Sequence, residues 1–262
     1  ADATQSGSAR AAYEMIIQSA RDWPAGWARL LKIFANCKRF TGGASQVAND
    51  VADGEVLAGA AIDFYAYRTI AKVGDSVGFT IVRDTTAFTP DPIALLKGAP
   101  NPALAKRFMQ FVLSPPGQAL WCLPAGTPGG PKTHALYRQP IRRDMYEKYA
   151  GKMLPQLTNP FTRSSDFKLN EEAAKVRISR LLGPLMKAAA LDSRSELARA
   201  WKALIAAGRP AELMKEFAAL PDDLAEEKTA LETAKRLSDS KQAELITGAW
   251  QRFFREKGEF RP

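Results

Sequence analysis

Histidine and cysteine are scarce: the chain holds one histidine, His134, and two cysteines, Cys37 and Cys122. No CxxC pair occurs, so a zinc site built from four Cys and His ligands at the usual spacing is excluded. A Cys–His catalytic pair has almost no material to draw on. Both cysteines lie in apolar text, WARLLKIFANC and GQALWCL, where a thiol behaves as a small buried hydrophobe. A disulfide between them would need an oxidising compartment. No run of about eighteen apolar residues exists, which excludes a membrane-crossing helix by the length criterion. The opening residues do not show a basic-then-apolar leader, which maturation would remove in any case. Also missing are a GxSxG elbow, a P-loop, an HExxH helix and a GxGxxG after a strand. These absences leave, among enzymes, a hydrolase with two carboxylates distant in sequence, because such pairs leave no local trace.

What is present is a globular composition, 46% hydrophobic and 25% charged over 262 residues, enough for one large or two smaller domains. The net charge of +9 favours anionic partners: nucleic acid, anionic lipid or small anions. The charges are dispersed and mixed with Asp and Glu, and the Arg142-Arg143 pair reads as a solvated helix end. Nucleic acid is therefore not the expected partner.

Along the chain, helical periodicity over 8–21, 26–37 and 45–53 is separated by the turn-rich DWPAG and FTGGAS. GEVLAGAAIDF reads as a short buried strand and VGFTIVRD as a strand with period-two alternation, followed by a third apolar run in PIALLKGAP. NPALAKRFMQFVLS places Leu104, Phe108, Phe111 and Val112 on one helical face, with Pro102 suited to the first turn. Ser114 caps a further short helix through GQALWCL. The Pro/Gly loop PAGTPGGPKTH, the short helix IRRDMYEKYA and the loop LPQLTNPFTRSSD follow. From Asn170 onward the text is helical, punctuated at Gly183-Pro184, Gly208-Arg209-Pro210 and Leu220-Pro221 into four or five helices. Asn170 and Asp192 are suitable caps, and Asp222-Asp223 suits a helix start. The stripe Val176, Ile178, Leu181, Leu182 and Met186 reads as core. Single strands with covering helices predict an α/β architecture.

Two places carry candidate ligand chemistry. The opening ADATQSGSAR sets Thr4, Ser6, Gly7 and Ser8 directly before the run Ala12, Met15, Ile16 and Ala20. Ser6 or Ser8 can serve as an ordinary N-cap, and the same helix start can cradle an anion. The second place is Asp63 with Phe64, Tyr65 and Tyr67, at the end of the expected strand, where ligands of α/β sheets collect. Asp63 can accept from a hydroxyl or amine or bind a hard cation; Tyr65 can donate, stack, or ligate ferric iron as phenolate. The competing reading is structural, with Phe64 and one tyrosine in the core and Asp63 capping the next helix. Glu171-Glu172 sits on a solvent-facing helix start.

Several blocks, in order, resemble the second half of a bacterial extracellular solute-binding protein of an ABC importer. They are DATQSGSA, GWARLLKIFAN, GGASQVANDVADGE leading into AGAAIDFYAY, and TPDPIALLKGAPNPALAKRFMQFVLSPPGQALW. The group most similar is the ferric-iron-binding type. The likeness covers residues 1–150; the helical remainder is loosely compatible with it.

The resemblance implies a periplasmic-binding-protein-like (type II) α/β lobe with a mostly helical C-terminal region. The implied divisions are a second lobe over 1–90, a return segment over 91–169 and a helical region over 170–262. It implies a non-catalytic, periplasmic or extracellular protein whose partners are a small solute or metal and the importer's membrane permease. The ligand set it implies is Thr4, Ser6, Gly7, Ser8, Ser45, Asp63 and Tyr65. Tyr65 is the implied metal ligand should the cargo be ferric iron. Phe64 stands where iron-binding members carry a tyrosine, which shifts the expectation toward a phosphorylated or carboxylated organic solute. Members of the family also carry a further lobe's worth of chain before the DATQSGSA position, so the sequence is expected to be a fragment or processed product. Two other classes stay open: a helical protein-interaction module over 170–262 on an α/β scaffold, and an enzyme with a dispersed carboxylate site.

Overall fold

The computed structural model of the chain describes residues 1–162 and 167–257. In chain order its helices are α1 (Gly7–Gln18), α2 (Trp23–Ala35), α3 (Ala44–Ala52), α4 (Asp63–Val73), α5 (Pro102–Leu113), α6 (Pro115–Cys122) and α7 (Asp144–Lys148). They continue with α8 (Glu171–Val176), α9 (Leu182–Met186), α10 (Arg194–Ala206), α11 (Ala211–Ala218), α12 (Glu227–Arg236) and α13 (Ser240–Glu256). Helix makes up 58% and no strand forms among the described residues, which overturns the expected α/β, type II periplasmic-binding fold.

The physical reason lies in the segments read as strands. Residues 56–62, 77–82 and 88–96 are extended or irregular, and none is laddered. A strand is a pairing event, and an alternating or apolar run supplies only one side of it. Local breakers oppose pairing here. Pro92 opens the third run without a donor, and Pro90 removes another just before it. The second run ends in a turn where Asp84 takes φ 55°. Leu57 is fully exposed.

The chain divides into two compact units. The first comprises Ala1–Ala61, Ile81–Ala87 and the described residues from 167 on; the second comprises Ile62–Thr80 and residues 88–162.

The first unit is an all-helical body around α2. Asp22 caps α2 by accepting from Ala25 N–H at 2.9 Å, and Pro24 fits its first turn. Trp27, Leu30, Leu31 and Phe34 line its buried face and meet Leu181, Leu182, Leu185, Leu204 and Trp250 in one apolar cluster. The C-terminal helices therefore share a core with α1 and α2 and do not form a body of their own, which removes the basis for a free-standing interaction module over 170–262. Gly183-Pro184, expected to end a helix, instead lies inside α9. Two π-helical turns, Arg177–Leu181 and Lys187–Leu191, flank α9, and register changes of this kind let a helix continue past a proline that cannot donate. Asp192 does not cap; Ser193 holds the N-cap position of α10, and Asp192 accepts from Lys187 and Gln251. Val176 and Ile178 are partly buried while Leu181, Leu182 and Met186 are fully so, as the stripe predicts.

A charged tie crosses this core. Arg177 donates to Glu14 Oε1 through Nε at 2.8 Å, with Nη2 2.6 Å from the same oxygen, and Nη1 reaches Glu227 Oε1 at 2.6 Å. Its guanidinium carbon lies 5.2 Å from the Trp23 ring centre, and the Trp23 indole donates to Leu224 O at 2.7 Å. Glu14 and Arg177 are buried at 0% and 2% exposure, so each charge depends on the other.

The second unit holds α4–α7 and a small buried cluster of Ala119, Cys122, Leu123 and Met145, from α6, the residue after it and α7. Asn101 caps α5 and Ser114 caps α6, each accepting from the third residue on. The α5 stripe is not covered: Leu104, Phe108 and Phe111 are exposed and no α5 residue is buried. Cys37 and Cys122 are free thiols in different units; burial pushes Cys122 up to about 11, so it is an inert apolar filler.

Two measurements check this packing. A Cβ on Gly26 would sit 2.6 Å from Ile17 O and 2.8 Å from Ile17 Cα, both backbone atoms. Gly26→Ala should therefore force α1 and α2 apart and cost about 1–3 kcal/mol in denaturant unfolding. Arg177→Ala should cost about 3–5 kcal/mol by stranding Glu14 in the interior, and adding Glu14→Leu should recover much of that loss.

Candidate functional site

In the first unit the opening turn is occupied by its own side chains. Ser6 Oγ accepts from Ala9 N–H at 3.2 Å and so caps α1. Thr4 donates both its backbone N–H and its hydroxyl to Asp2 Oδ1, each at 2.7 Å. Asp2 N–H donates to Thr41 O at 2.8 Å, which ties the turn to the segment before α3. Gly7 and Ser8 are exposed in the first turn of α1, and Ser45 is exposed in the first turn of α3. Two of the expected donors thus already serve an internal carboxylate and a cap. A crevice of about 200 Å³ in this unit is lined by Gln18, Asp22, Trp23, Asn170, Arg177 and Glu227. Its buried guanidinium is committed to two carboxylates, as described above.

Asp63 and Tyr65 belong to the second unit, whereas Thr4, Ser6, Gly7, Ser8 and Ser45 belong to the first. Asp63 is the first residue of α4, and its Oδ1 accepts from Phe64 N–H at 2.8 Å. It therefore opens a helix; the expected position at a strand end does not exist. Burial pushes the Asp63 carboxyl up from its ordinary range, more strongly than the Phe64 amide and the Arg138 charge pull it down; Asp91 adds to the rise. The Phe64 and Tyr65 rings tilt against each other with centres 4.3 Å apart, and Arg68 lies 5.5 Å over the Tyr65 ring.

The residue that completes this cluster, Arg138, had no sequence signal. Its guanidinium carbon stacks 3.8 Å from the Phe64 ring centre and 5.8 Å from that of Trp121, and its Nη1 pairs with Asp91 Oδ2 at 2.5 Å. Its segment is pinned at three points. Arg138 N–H donates to Trp121 O at 3.0 Å, and Ile141 N–H donates to Gln118 Oε1 at 2.8 Å. Tyr146 hydroxyl donates to Pro140 O at 2.9 Å. The preceding residue, Tyr137, takes φ 56°, a left-handed conformation that costs a bulky side chain energy and persists only where the surroundings impose it.

The cluster therefore combines a fixed planar cation lying on an aromatic face, an exposed carboxylate on that cation, and a second carboxylate held against its preference for water. Such a set can bind an anionic group at the guanidinium and a hydroxyl at Asp63. Among the described residues, no group of three or more His, Cys, Asp or Glu side chains is placed to hold a metal ion.

Residues 1–122 match the family described as bacterial extracellular solute-binding protein. Two curated relatives, the phosphoglycerate transport regulatory proteins PgtC of Salmonella typhimurium and Salmonella typhi, are each 32% identical over 107 residues. That stretch is 41% of this chain and 26% of theirs, so the match spans about a quarter of the relatives' length. No solved structure matches the chain. The matched residues include Asp63, Tyr65, Asp91 and Trp121 and stop short of Arg138. No described helix is long and apolar enough to cross a membrane.

The raised Asp63 carboxyl has a signed consequence. A folded-state value above the unfolded one means that the charged form disfavours folding at neutral pH, and that this cost disappears as pH falls through the carboxylate range. Asp63→Asn keeps the acceptor for Phe64 N–H and removes the charge. It should raise the melting temperature at pH 7 and lose that advantage at pH 4, as thermal melts at the two values would show.

Proposed function

We propose that this chain is a non-catalytic solute-binding component of an ABC importer, acting outside the cytoplasm, and that its solute is a small phosphorylated or carboxylated organic anion bearing a hydroxyl. The observation that carries the reading is the juxtaposition of Arg138, stacked on Phe64, with the desolvated Asp63. A cation fixed over a ring recognises an anionic group, and an adjacent carboxylate accepts from a hydroxyl and repels an anion that offers it none. Two further facts support it. Most of the cluster falls in residues similar to extracellular solute-binding proteins, and the curated relatives are named for phosphoglycerate transport. Phosphoglycerate combines a phosphate, a carboxylate and a hydroxyl. Tyr65, beside Phe64, serves this reading as a wall and hydroxyl donor with no iron required.

Isothermal titration with 3-phosphoglycerate, with glycerol as the control, tests the proposal. Saturable binding that weakens at least tenfold in Asp63→Ala is expected, since an unmade hydrogen bond to a charged group costs about 1.5–3 kcal/mol. Binding that Asp63→Ala leaves unchanged, or turnover of the phosphoester, would overturn it in favour of another site or of an enzyme.

A further inference from the structure

We infer that Arg138 is the anion-recognising and specificity-determining residue of this cluster, and that Asp91 is an internal stand-in for the solute's anionic group which must leave before the solute binds. The inference rests on the proposed function and assigns that site its determinant.

Three observations carry it. Arg138 is placed with more constraint than a surface ion pair requires: its own backbone is tied to Trp121, residues 140 and 141 are tied to Tyr146 and Gln118, and the left-handed Tyr137 directly precedes it. An arginine that merely paired with a surface carboxylate would need neither the pinning nor the unfavourable backbone. Second, the Phe64 ring covers one face of the guanidinium and leaves its edge available. Among the described residues the guanidinium makes a single hydrogen bond, from Nη1 to Asp91, so a two-pronged anion that replaces Asp91 gains a bond the aspartate does not make. Third, the partner is weakly held. The Asp91 side chain is 80% exposed and sits between Pro90 and Pro92 in an extended segment outside any helix. Exposed ion pairs contribute little to stability, so a phosphate or carboxylate of the solute can displace Asp91 at small cost.

A carboxylate on the guanidinium is also the chemical analogue of the anion expected there. Bound, Asp91 keeps the cation neutralised; released into solvent, it loses almost nothing. The arrangement screens out ligands that offer only a weak single contact and admits those that present a forked anion. Arg138→Lys keeps the charge and loses the fork, which separates recognition by geometry from attraction by charge alone.

The test is isothermal titration of 3-phosphoglycerate and, separately, inorganic phosphate into the full chain and its variants, with thermal melts confirming that each variant is folded. Asp91→Asn should tighten binding of 3-phosphoglycerate about two- to fivefold, the range set by the weakness of an exposed pair. Arg138→Gln should weaken it tenfold or more, and Arg138→Lys should weaken it nearly as much. If the chain binds 3-phosphoglycerate and Arg138→Gln leaves that affinity unchanged, the inference fails while the solute-binding reading stands. Should Asp91→Asn weaken binding, Asp91 is a ligand contact and its role as a stand-in is overturned. If neither anion saturates the unaltered chain or Asp91→Asn, both the inference and the reading on which it rests are overturned. Saturation in Asp91→Asn alone would show that Asp91 blocks the site and does not yield to the solute, which would overturn its role as a displaceable stand-in.

Discussion

Arg177 and Glu14 meet in an interior where the Glu14 carboxylate has the guanidinium as its counter-charge. The guanidinium sits at the start of a π-helical turn, spans from α1 to Glu227 at the start of α12, and lies over the Trp23 ring at the start of α2. One side chain thereby links the body of α1 and the starts of α2 and α12 to the turn from which it projects. Buried ion pairs add little net stability, but breaking one is expensive, so the arrangement penalises other packings of the same helices. The π register belongs to the same constraint, because it lets the helix pass Gly183-Pro184 while Leu181, Leu182 and Leu185 stay in the core.

The second unit follows another logic. Its apolar cluster is small, and α5 presents Leu104, Phe108 and Phe111 to solvent. What it holds firmly is the segment around Arg138. Hydrogen bonds at residues 138, 140 and 141 and a left-handed residue at 137 place a cation on an aromatic ring, beside a carboxylate that burial disfavours. The proposed recognition role draws on this constraint around Arg138. The similarity of residues 1–122 to extracellular solute-binding proteins points the same way, and it does so without the α/β sheet that the resemblance implied.

Local chemistry was readable wherever a few neighbouring residues decide the outcome. Helix caps at Ser6, Ser114 and Asn170, and Pro102 in the first turn of α5, occur where hydroxyl, amide and ring geometry demand. The limits of α1, α2 and α3 fall within a few residues of the periodicity. The strands were misread for a physical reason: GEVLAGAAID and VGFTIVRD carry the composition of a pleated surface, but a ladder needs a second backbone, and no such pairing forms among the described residues. Gly183-Pro184 was misread because a break in one register is permitted in another. Of the candidate site, Asp63 and Tyr65 were legible as chemistry beside apolar text, whereas Arg138 was not. Nothing in the local sequence around it predicts a stacked, pinned cation.

The sequence by itself determined the helix starts, the apolar face of α2, and the presence of acid and phenol side by side at 63–65, because each depends on residues within a turn or two. Tertiary structure decided which apolar runs would pair, which carboxylates would be buried, and which distant arginine would meet each of them. Those outcomes depend on desolvation and on contact between residues far apart in the chain. Arg177 to Glu14 and Arg138 to Phe64 are both such meetings, one neutralised in the core and the other left with an exposed and replaceable partner.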